Sequence, residues 1–208
     1  MAFTPIVARD GNNASQSMAA LQDLAGVNYS QVGMDSTQQT FRASASFTPL
    51  ATAALALVTI QGSASKTVRI KRLLMGGVST ALADTLFRLT RLSVIGTGGT
   101  AVAPTIAKND TSTGTATAVV QHYTTAAQST GTVVSALSHW RQFTATATTP
   151  ATAYTNPTYQ IFPECGVGGQ SLVLRGVADF LQIENFNAGN LPAGTVLEYV
   201  VEWVEDAS

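Results

Sequence analysis

From Phe41 onward the chain repeats its apolar residues at every second position, and that period restricts it to half-buried β-strands. Phe41, Ala43, Ala45 and Phe47 fall on one side and Arg42, Ser44 and Ser46 on the other, until Pro49 closes the run. The last run is the clearest. In Val196 to Val204, Leu197, Tyr199, Val201 and Trp203 share one face, which predicts a core position for Trp203, while Glu198 and Glu202 share the other. Between these, strands are predicted at Ala54–Ile60, Lys66–Leu74, Thr85–Ile95, Thr115–Tyr123, Thr132–Phe143, Thr158–Phe162, Ser171–Arg175 and Phe180–Phe186. Thr85–Ile95 is apolar on both faces, which marks a central strand. Turn formers separate the runs: Gln61-Gly62-Ser63, a break at Gly76-Gly77, and Gly96 to Thr100. About ten short strands with hardly a helix between them predict an all-β fold, an antiparallel β-sandwich or jelly-roll-like domain.

The first 35 residues read differently. Arg9 to Ser17 is polar, rich in turn formers and has little to bury. The repeat Met18, Leu21, Leu24 fits one or two helical turns ended by Gly26, too short to stand alone. Residues 1–35 are therefore expected to form an extended N-terminal arm with a possible short helix, and 36–208 a single β-sandwich domain. Ile6, Val7, Arg9, Asp10, Met18, Leu21 and Leu24 are the arm's candidate interface residues.

Charge separates the function classes. Only 11% of the 208 residues are charged and the net charge is -1. A nucleic-acid binder needs a basic stripe to neutralise phosphates; the one short cationic run here is Arg69, Lys71 and Arg72. Low net charge also gives little repulsion between copies, so a homo-oligomer or a larger assembly is expected. No run approaches the ~20 apolar residues of a membrane span, and no secretion signal is read at the N-terminus. Cys165 stands alone, so one chain can form neither a disulfide nor a Cys-based zinc site.

The residues that could carry chemistry do not converge. His122 and His139 have no second histidine or carboxylate at ligand spacing and read as structural. No Gly-x-Ser-x-Gly elbow is present. The Gly96–Thr100 and Gly166–Gly169 clusters lack a following helix and read as turns. Asp10 with Asn12, and Asn109 with Asp110, resemble the start of a calcium loop but lack its closing glutamate. Glu198, Glu202, Glu205 and Asp206 read as a solvated strand face and a polar tail. The expectation is therefore no enzyme, no cofactor and no metal. Tyr154 and Tyr159, in Pro-containing polar surroundings, are candidate docking aromatics.

Three stretches carry a resemblance: Ile6-Val-Ala-Arg-Asp-Gly-Asn-Asn-Ala-Ser-Gln16; Phe47-Thr-Pro49 leading to Ile60-Gln-Gly-Ser-Ala-Ser-Lys-Thr-Val-Arg-Ile70; and Leu174-Arg-Gly176 with the ending Glu202-Trp-Val-Glu205. In them the chain resembles accessory structural proteins of tailed-bacteriophage virions. The resemblance implies a β-rich protein bound to the major capsid protein or to connector and tail proteins, in a virion assembled in the host cytoplasm. The expected function is capsid decoration or cementing. A neck, collar, tail or baseplate protein is the alternative, and a host-receptor or glycan-binding module the alternative of another class. No nucleic acid or membrane partner is expected.

Overall fold

The computed structural model describes residues 6–9, 15–18, 21–22, 28–29, 39–49, 56–78, 83–111, 114–124, 131–144, 159–162, 171–186, 191 and 194–207. The chain divides into two compact units, residues 1–38 and 39–208. In the first, β1 (Ile6–Arg9) pairs antiparallel with β2 (Ser15–Met18), and β3 (Leu21–Gln22) with β4 (Asn28–Tyr29). The helical turns read from Met18, Leu21 and Leu24 are replaced, where the residues are described, by these strands. A helix of one or two turns must meet the nucleation cost alone, whereas a strand gains cross-strand partners: Met18 stands opposite Ile6 and Leu21 opposite Tyr29.

The second unit contains β5 (Gln39–Phe47), β6 (Ala56–Gln61), β7 (Lys66–Val78), β8 (Ala83–Val94), β9 (Ala101–Val102), β10 (Ile106–Lys108), β11 (Val119–Tyr123), β12 (Thr132–Thr144), β13 (Tyr159–Phe162), β14 (Leu172–Arg175), β15 (Phe180–Asn185) and β16 (Val196–Ala207). They form two antiparallel sheets packed as a β-sandwich. One sheet runs β10-β5-β16-β7-β13, with β14 also on β7, and the other β12-β8-β15-β6-β11-β9. Every strand predicted from residue 41 onward is present.

The connectivity is that of a jelly roll. With β5, β6, β7, β8, β12, β14, β15 and β16 taken as the eight successive strands of the motif, one sheet has the order first, eighth, third, sixth and the other second, seventh, fourth, fifth. Strands β9 to β11 are an insertion between the fourth and fifth of these; β10 extends one sheet beyond β5 and β11 the other beyond β6. The predicted central strand, β8, lies between β12 and β15.

Gly76 and Gly77 do not break the chain, as the sequence suggested; β7 runs through them to Val78. Here glycine answers a close approach between strands. A Cβ on Gly77 would lie 2.4 Å from the Val196 carbonyl oxygen of β16. The Gly96–Thr100 segment is the expected loop, with Gly98 and Gly99 at φ 84° and 80°, a region that side chains disfavour.

The interior is filled by large side chains from both sheets. Trp203, Tyr199, Phe41 and Phe87 are among the largest fully buried residues. Phe41 stacks on Trp203 with centroids 5.7 Å apart, and Phe87 on Trp140 at 5.6 Å. Side-chain contacts also tie the sheets at their margins. Arg91 of β8 donates to both Asp179 carboxylate oxygens at 2.9 Å and to the Val173 carbonyl of β14 at 2.9 Å. No helix among the described residues is long and apolar enough to cross a membrane.

Candidate functional site

The two sheets present contrasting outer faces. On the first, antiparallel register sets Arg42 of β5 and Arg72 of β7 on either side of Glu202 of β16. Arg42 donates to Glu202, Arg72 lies 3.9 Å from it, and Arg69 pairs with Asp206 at 2.5 Å. Two members of the cationic run read from the sequence are thus neutralised across strands. Of the acidic residues expected on a solvated face or tail, Glu198 is exposed, whereas Glu202 and Asp206 are partly buried in these ion pairs.

The second sheet carries an apolar rim instead. Its edge strand β12 is 13 residues long, whereas β9 at the opposite edge has two and β10 at an edge of the first sheet three. Short edge strands protect a sheet from unwanted pairing; a long edge needs another device. On β12 that device is a pair of bulges. Val133 and Ser135 face consecutive residues Leu92 and Arg91, and Ala136 and Ser138 face Thr90 and Leu89, so Val134 and Leu137 have no counterpart on β8. Bulges disrupt the ladder and increase local twist, which disfavours addition of a further strand. Yet they turn out aliphatic side chains. Val134 is 60% exposed and Val94, at the end of β8, 57%; Val133, Leu137 and Phe186 are exposed too. The rim continues at Phe186, with the Arg88 guanidinium 4.4 Å from its ring centroid and His139 edge-on at 5.8 Å. Arg88 also donates to the buried Glu184.

Of the interface residues chosen from the sequence, Ile6, Val7 and Arg9 lie in β1, Met18 in β2 and Leu21 in β3. Ile6 and Met18 are brought opposite one another. Tyr159 begins β13, opposite Met75 of β7. Asp10, Leu24 and Tyr154, like Cys165, lie outside the described residues. The rim was missed, although it had a signal. Val133-Val134 and Ala136-Leu137 are adjacent apolar pairs in a run that should alternate, and both pairs fall at the bulges.

Inside the sandwich His122, Tyr199 and Glu205 have structural partners. His122 Nδ1 lies 3.2 Å from Tyr199 Oη, with the Phe47 ring 4.7 Å away. Burial lowers the His122 pKa from its ordinary value and raises that of Tyr199. Glu205 is not part of a solvated tail, as the sequence suggested, but 3% exposed. It continues the inward face of Leu197, Tyr199, Val201 and Trp203. Its carboxylate accepts from Thr117 N (2.9 and 3.0 Å), Ala118 N (2.9 Å), Thr117 Oγ1 (2.7 Å) and Trp203 Nε1 (3.0 Å), with Lys66 Nζ at 3.6 Å. Burial pushes its pKa up, but the hydrogen bonds from Ala118, Thr117 and Trp203 outweigh burial and hold it below the ordinary carboxylate value. One side chain thus fastens β16 of the first sheet to the segment leading into β11 of the second.

Among the described residues five buried side-chain polar atoms have no hydrogen-bond partner: Thr85 Oγ1, Trp140 Nε1, Gln182 Oε1, and Asn185 Nδ2 and Oδ1. An unpaired buried polar group costs about 1–3 kcal/mol. Among the described residues no group of three or more His, Cys, Asp and Glu is placed to hold a metal ion. Comparison of the chain with protein-family models, with curated proteins and with solved structures gives no match.

Proposed function

We propose that this protein is a structural subunit of a tailed-bacteriophage particle, in the first instance a capsid decoration or cement protein that acts by docking and not by catalysis. The observation that carries the reading is the rim of Val94, Val133, Val134, Leu137 and Phe186 along the bulged edge strand β12. Apolar side chains turned outward at a long sheet edge lose contact with water only when a partner covers them. The partner of this reading is the major capsid protein, joined by further copies of the chain, with the strands of residues 1–38 as a second contact region. Three further features support it: the low charge, the resemblance in the stretches beginning at Ile6, Phe47 and Leu174, and the jelly-roll connectivity. Jelly rolls occur in viral capsid domains but also in lectins and cupins, so topology alone does not choose among them.

Quantitative mass spectrometry of purified particles tests the reading. A copy number in fixed proportion to the major capsid protein is expected. A ring-sized number would move the protein to the neck, collar, tail or baseplate. Absence from purified particles would overturn a virion role. Host attachment is tested separately by replacing Tyr154 and Tyr159 with Ala. Lost adsorption by particles that still assemble would favour a receptor- or glycan-binding role, and unchanged adsorption would exclude that surface.

A further inference from the structure

Four of the five unpaired buried atoms belong to one patch on the interior face of the second sheet. Trp140 of β12 and Asn185 of β15 both stand opposite Phe87 of β8, so the three form a row across adjacent strands. Thr85 lies two residues before Phe87 on the same face of β8. That face is the core face, since Phe87 and Trp140 stack there and belong to the central cluster. With strands about 4.8 Å apart, the row spans roughly 10 Å. Thr85 is 0% and Asn185 1% exposed, and neither the Thr85 hydroxyl, the Trp140 indole N–H nor the Asn185 amide has a partner.

We infer that this end of the sandwich holds ordered water hydrogen-bonded to Trp140 Nε1, the Asn185 amide and Thr85 Oγ1. The chemistry of the patch selects water over other occupants. The indole offers only a donor, the amide both donors and an acceptor, and the hydroxyl either. A cation would confront the indole N–H and the amide NH2, and an anion the amide oxygen. An apolar occupant would leave all four atoms unpaired. Water donates and accepts, and a buried molecule makes about three such bonds. Trp203 provides the contrast within the same core: its indole N–H is bonded to Glu205 at 3.0 Å and needs no water.

The two tryptophans allow a direct test on the full chain labelled with nitrogen-15. The indole proton of Trp140, assigned through the backbone, should show a cross-peak at the water frequency. Its sign should invert between laboratory-frame and rotating-frame spectra, which marks dipolar contact with resident water and not proton exchange. The Trp203 indole proton should show none. The Trp140 peak should persist in Thr85→Val, where no hydroxyl proton can relay the signal. A silent Trp140, a peak with the sign of exchange, or a peak lost in Thr85→Val would overturn the inference.

Discussion

The outer face of the first sheet and the rim of the second are built from the same alternating strands but meet water in opposite ways. On the first, Arg42, Arg69 and Arg72 find Glu202 and Asp206 across neighbouring strands, so the chain satisfies its own surface. Along β12 the alternation is interrupted twice, and what the bulges turn outward is Val134 and Leu137. The difference teaches which of the two surfaces would gain from being covered. A solvated ion-pair face gains little from being covered, because its charges would lose water. An aliphatic rim gains about 25 cal/mol for each Å² buried.

The largest expected effect sharpens the comparison by removing what the two sheets share. Trp203→Ala should lower unfolding free energy by about 3–5 kcal/mol in urea titration; a loss under ~0.5 kcal/mol would place Trp203 outside the core. Glu205→Gln should follow, at about 2–3 kcal/mol, because it weakens a carboxylate that satisfies two backbone N–H groups. The same carboxylate sets an acid limit. Its folded pKa lies below the ordinary 4.5, so its contribution is complete above that pH and is lost as pH falls through the lowered folded value. Glu205→Gln should therefore flatten the acid limb of stability against pH, and an unchanged limb would contradict this role of the Glu205 carboxylate.

His122 should produce a smaller slope at higher pH. Burial lowers its pKa below 6.5, so the unfolded chain takes up the proton first and stability declines as pH drops below that value. His122→Asn should remove this segment of the profile. The smallest effect is expected on the charged face: Arg42→Ala should cost less than about 1 kcal/mol, as exposed ion pairs do. A larger loss would mean that the first sheet depends on its ion pairs more than the comparison allows.

Much of this architecture was legible because period two survives wherever one face of a strand meets the core. Phe41, Phe47, Leu197 and Trp203 revealed their strands and their facing together. Pairing order was not legible, because alternation says which way a residue points and not which strand lies beside it. Glu205 was misjudged although its place followed from the alternation: it stands two residues beyond Trp203, and its charge outweighed its position in the reading. The hydrogen-bond donors that make its burial tolerable come from Thr117 and Ala118, far away in sequence. Gly77 failed similarly, since a glycine demanded by a neighbouring carbonyl resembles a turn glycine until the neighbour is known. At the rim, Val133-Val134 and Ala136-Leu137 signalled the bulges, but an irregular apolar run reads equally well as a strand buried on both faces.

The central claim, docking through the bulged edge of the second sheet, is tested most directly by the occupancy of purified particles. Under the proposed virion role, wild-type chain and a Val134→Asp, Leu137→Asp variant would be supplied together to a host infected with phage lacking the protein. The two would then be quantified in the particles formed. The account predicts that the variant folds with wild-type cooperativity yet is under-represented at least tenfold, while Arg42→Ala is incorporated normally. Equal incorporation of the rim variant would contradict it.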